Sequence, residues 1–68
     1  MENWQVGDHA EVASTSFDDR FKTLYGKVGK VVNVKTSEFK HFIETDLRLI
    51  FEDGYECWLP AEDCIQRY

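Results

Sequence analysis

Sixty-eight residues with 43% hydrophobic and 15% aromatic side chains and a net charge of −5 describe one small folded domain spanning 1–68, because disordered chains are poor in aromatic and β-branched residues. A chain this short buries only about 60% of the surface that its unfolded form exposes, which leaves room for one economical core and no more. No apolar run approaches the roughly 20 residues that span a bilayer, and the opening MENWQVGDH has neither the basic start nor the apolar stretch of a secretory leader, so a cytoplasmic location without membrane contact is expected.

In chain order, Gly7-Asp8 is a turn signal and His9 to Ala13 alternate enough for a short first strand. The stretch ASTSFDDRFKTL is too polar for a core strand. It reads as a loop of about ten residues with a turn of helix at Phe17–Lys22, and loops of that length in compact domains are often functional. YGKVGKVVNV follows, and its valines suit a pleated, half-buried strand. Two glycines at the start of a strand mark a bulge, a sharp bend or a close backbone approach, and Gly26 and Gly29 fit a strand that must curl into a small barrel. Residues 35–45 are polar apart from Phe39, Phe42 and Ile43. They are either a hairpin tip or the ends of two strands.

DLRLIFEDGYECWLP is the clearest unit. Leu47, Leu49 and Phe51 alternate with Arg48, Ile50 and Glu52. Asp53-Gly54 predicts a type I′ hairpin turn with φ > 0 at both central residues. Tyr55, Cys57 and Leu59 then alternate with Glu56 and Trp58, and Pro60 ends the strand because it cannot donate to a ladder. PAED reads as a single helical turn, and CIQRY as a short last strand with Ile65 inward. No window holds helical apolar spacing over three turns, so the fold class is all-β with five short strands.

Two cysteines, Cys57 and Cys64, permit one disulfide. A secreted domain of this size usually carries more, so both are read as free thiols. Together with His9 and His41 their spacing matches no zinc pattern, and the histidines are read as surface residues. No cofactor is expected. Nor is catalysis: there is no nucleophile–base arrangement, no phosphate-cradling loop, and a barrel this small leaves no room for the usual pocket of about 300 Å³ or more.

Charge is uneven along the chain. Residues 1–19 hold five acids and no Lys or Arg; residues 20–40 hold Arg20, Lys22, Lys27, Lys30, Lys35 and Lys40 against Glu38 alone; residues 41–68 hold seven acids against Arg48 and Arg67. Either strands of opposite charge support one another across the sheet, or the middle segment is a basic strip on an acidic body.

VGDHAEV, GKVGKVVNV and LRLIFEDGYECWLPAEDCI resemble, in that order, the first strand, the glycine–valine core and the closing hairpin, one-turn helix and last strand of a five-stranded SH3-like barrel of the KOW type. The resemblance covers nearly the whole chain. It implies a nucleic-acid or nucleoprotein context, since KOW-type domains of ribosomal and transcription-elongation proteins touch RNA, DNA or polymerase. A pI near 4.8 departs from that pattern, because nucleic-acid binders neutralise phosphates with Lys and Arg.

The residues therefore point first to a non-enzymatic module that docks on a larger protein or nucleoprotein assembly, as a monomer or a weak dimer. If Leu47, Leu49 and Phe51 face inward, Ile50 and Trp58 are neighbours on the outer face, and an exposed strand tryptophan is an interface anchor. The alternative buries Trp58 beneath Trp4 or Val6. Phe17, Phe21 and Tyr25, interleaved with Arg20 and Lys22, can stack bases or fold back as a lid. The nucleic-acid alternative uses Arg20, Lys22, Lys27, Lys30, Lys35 and Lys40. A third reading makes Glu52, Asp53, Glu56, Glu62 and Asp63 an acidic face that mimics nucleic-acid charge, as small phage inhibitors do.

Overall fold

The computed structural model describes residues 3–14 and 19–67, with the backbone alone at 19–21. Five strands, β1 (His9–Val12), β2 (Val28–Glu38), β3 (Ile43–Ile50), β4 (Glu56–Pro60) and β5 (Cys64–Arg67), form one antiparallel sheet in the order β4-β3-β2-β1-β5. Short 3₁₀ turns at Asp19–Leu24 and Ala61–Asp63 precede β2 and β5. No helix among the described residues is long and apolar enough to cross a membrane.

Alternation decides which side of the sheet becomes the core. Ala10, Val12, Val31, Leu47, Leu49, Leu59 and Cys64 are buried together with Leu24 and Phe51, and Trp4, Val34, Cys57 and Ala61 pack against them. Each large aliphatic buried in this way contributes about 1.5–3 kcal/mol. Polar staples fix the ends. Asp8 accepts the Gln5 N–H at 2.8 Å and the Gln66 side-chain amide at 2.9 Å, tying the N-terminal turn to β5.

Two local expectations need correction and a third is narrowed. Of the bulge, bend or close approach expected at the glycines, Gly29 is the close approach: a Cβ there would stand 3.1 Å from Leu49 Cβ and Phe51 Cε1 and 3.2 Å from the Ile50 carbonyl oxygen, while the bulge lies further on, between Val31 and Asn33. The Asp53-Gly54 hairpin is not type I′, since among the described residues no non-glycine has positive φ. The Gly54 N–H donates to Phe51 C=O, the Phe51 N–H donates to Tyr55 C=O, and Gly54 alone has φ +89°, which is a three-residue loop closed by a glycine bulge. Asp53 Oδ1 accepts the Tyr55 N–H at 3.0 Å and favours that loop. Finally, Ile65 faces out. β5 pairs Cys64 with the buried Val12 and Ile65 with Glu11, so the cysteine, a small hydrophobe, takes the inward position.

Candidate functional site

Residues 35–45 carry the ends of both strands. β2 and β3 stay paired from Lys35↔Asp46 out to Glu38↔Ile43, and the Phe39 N–H to Phe42 C=O bond of 2.8 Å closes the tip. β4 does not follow them. It ends at Pro60 opposite Asp46, where the chain turns off into Ala61–Asp63. Residues 36–45 therefore project as a two-stranded arm.

The arm is apolar where it leaves the sheet. Phe39 and Phe42 stack with ring centroids 4.7 Å apart, yet they are 50% and 59% exposed, and Ile43 is 67% exposed. Beneath them lies an open groove of about 480 Å³ walled by Trp4, Phe42, Ile43, Thr45, Pro60 and Ala61, with Glu44 and Glu62 at the same site. A second groove of about 480 Å³ is lined by Lys27, Val28, Phe51, Glu52 and Asp53. Three of those five residues are charged, so an apolar ligand would gain less there. Both volumes exceed the expectation for so small a domain, because the space lies outside the sheet, against the arm and the hairpin.

Backbone direction adds chemistry to the first groove. In an antiparallel ladder the N–H and C=O of successive residues point to opposite edges. The tip bond and the Glu38↔Ile43 register aim Glu44 and Asp46 at β2, and Ile43 and Thr45 at the groove. On the other edge of β2, just before the arm begins, Asn33 Oδ1 accepts the Val34 N–H at 2.8 Å.

Electrostatics at the margin are modest. Burial, and then the neighbouring Glu62 carboxylate, push the Asp63 carboxyl above the usual range, against a lowering hydrogen bond from Ser14. Burial raises the Cys57 thiol, which keeps it protonated and a poor nucleophile. The Cys64 thiol donates to Pro60 C=O at 3.7 Å. Among the described residues no group of three or more His, Cys, Asp or Glu is arranged to hold a metal.

The residues singled out from sequence are dispersed. Trp58 is 40% exposed opposite Arg48, and Ile50 is half-buried opposite Glu56. The two are diagonal neighbours on the outer face, bordered by the Arg48–Glu56 ion pair at 3.1 Å. Trp4 packs against the core, while Val6 is exposed. Tyr25 is exposed in the turn before β2, beside the end of β1 rather than near β4. Phe17 lies outside the described residues, as do the side chains of Phe21 and Arg20. Lys22, Lys27, Lys30, Lys35 and Lys40 are exposed. Lys30 pairs across to Ile50 and Lys35 to Asp46, so part of the basic segment meets acid across the sheet. Glu11 meets Arg67 at 2.8 Å.

Sequence reasoning passed over the groove residues Trp4, Phe42 and Ile43. The available signal was FKHFI, three large apolar residues in a stretch with no other reason to carry them. No protein-family model, curated protein or solved structure matches this chain.

Proposed function

We propose that the domain is a non-enzymatic binding module that docks on a larger protein, using its apolar end. The observation that supports this reading is the exposure of Phe39, Phe42 and Ile43 around the groove beside Trp4. Leaving large apolar side chains in water forgoes about 1.5–3 kcal/mol each, which a partner recovers by covering them. The same reading takes the fold to be an SH3-like barrel of the KOW type: β5 returns beside β1, a long loop follows β1, and a 3₁₀ turn leads into β5. The negative net charge favours a protein over nucleic acid as the partner.

The test is capture from host lysate by the tagged domain, with and without nuclease, at low and physiological salt. The Phe42→Ser/Ile43→Ser double variant serves as the comparison. A protein retained after nuclease and in salt, and lost with the double variant at unchanged melting temperature, supports the reading, because apolar contacts resist screening. Loss with Trp58→Ala alone would move the contact to the outer face. Capture that vanishes with nuclease would favour the basic residues of β2.

A further inference from the structure

We propose that two copies of this chain associate through their arms, side by side and antiparallel about a two-fold axis, so that the tip of each arm enters the groove of the other. The dimer uses the surface that the docking reading gives to a larger partner, but it forms whether or not that partner exists.

The arm and its base carry both halves of a complementary contact. The tip, residues 39–42, is FKHF, which sets the half-exposed Phe39–Phe42 stack beside the exposed Lys40. Lys40 is the only full charge in those four residues. The groove at the base is apolar along Trp4, Ile43, Pro60 and Ala61, and it carries the carboxylates of Glu44 and Glu62. None of these charges is neutralised within the molecule: among the described residues, Lys40, Glu44 and Glu62 make no ion pair. A cationic aromatic tip and an acidic apolar groove match in both respects. The phenyl rings and the lysine stem lose water against the apolar wall, while the ammonium meets carboxylate.

This complementarity selects a second copy as the occupant. An unrelated protein would have to supply both a cation for the groove and an acid for the tip, whereas this chain already holds both. Phe42 and Thr45 are three residues apart, about 10 Å of strand, so tip and base are the two ends of one short hairpin. A second arm laid alongside in the opposite direction brings each tip to the other base. The two-fold axis makes the contact reciprocal: Lys40 of each copy meets the acids of the other, and neither copy keeps a free tip. Association therefore stops at the dimer. The contact is small against the roughly 20–30 residues a side of a standard interface, which makes it weak and displaceable by a tighter partner.

The test is sedimentation equilibrium of the pure full chain, from micromolar to about millimolar concentration. The mean mass should rise from 8.0 kDa towards twice that value and no further. Lys40→Glu and Glu62→Lys should each weaken association about tenfold, since each turns two attractive contacts into repulsive ones. The double variant Lys40→Glu/Glu62→Lys restores both contacts with the signs exchanged and should return to within about threefold of the unaltered chain. A general effect of net charge predicts the opposite for Glu62→Lys, because that change reduces the net charge of −5 and with it the repulsion between copies. Both residues are exposed, and an unchanged melting temperature shows that the fold is kept. A monomer at every concentration, growth past the dimer, or a double variant weaker than either single one would each overturn the arm-to-arm dimer. The docking reading is judged separately, by capture: a partner lost with Phe42→Ser/Ile43→Ser, from a chain that stays monomeric, would keep that reading and end this one.

Discussion

The body of the sheet and the arm are built from the same two strands, yet they follow opposite rules. Between Leu47 and Ile50, β3 has a partner on both sides, and every second side chain is buried. Between Ile43 and Thr45 it has a partner on one side only, and Ile43 is among the most exposed apolar residues of the chain. One residue, Pro60, separates the two regimes by ending β4. Burial in the body contributes stability; at the arm the half-exposed Phe39–Phe42 stack contributes far less.

Substitutions can break or sharpen this contrast. Leu47→Ala, at a fully buried position, is expected to lose about 2–5 kcal/mol, which in a domain of marginal stability should leave little folded protein in a urea titration. Gly29→Ala should cost about 1–3 kcal/mol, since the new Cβ would meet the Ile50 carbonyl as well as two side chains. A midpoint unchanged within error would remove the close-approach account of that glycine. On the arm, Phe42→Ser should move stability by no more than about 0.5 kcal/mol by the same measurement; a loss comparable to that of Leu47→Ala would make the arm part of the core and end the contrast.

The smallest effect is expected at Asp63→Asn. The Asp63 carboxyl is held above its usual range by burial and by Glu62, so the folded state binds its proton more tightly than the unfolded state does. That aspartate therefore costs stability once pH rises through the folded value, and costs nothing at pH well below the unfolded value. Asparagine should raise the melting temperature slightly at pH 7 and leave it unchanged near pH 3, read by paired thermal scans.

The body was legible because its signals are local and redundant. Leu47, Leu49 and Phe51 alternate with polar neighbours, Pro60 stops its strand, and the 3₁₀ turn follows where PAED placed it. Errors arose where a tertiary contact decides between locally equivalent choices. Ile65 is the more apolar residue, but the register with Val12 turns Cys64 inward. Asp53-Gly54 suits two loop types, and the Phe51–Tyr55 pairing selects the three-residue one. Gly29 was rightly read as unusual, yet its cause lies in Leu49 and Phe51, twenty residues on. The groove was hidden for the same reason, since it joins Trp4, Phe42 and Ala61, three residues that share no local pattern.

The Asn33 side chain has a bearing on stoichiometry. A two-stranded arm with both edges available could accept one neighbour on each side, and repeated head-to-tail contacts of that sort grow into open-ended filaments. Asn33 Oδ1 holds the Val34 N–H, and Lys35 and Glu38 are charged along the same strand, so that edge loses one donor just before the arm begins. A neighbour arriving along β2 would therefore meet an interrupted ladder at Val34, which disfavours continuous edge-to-edge growth.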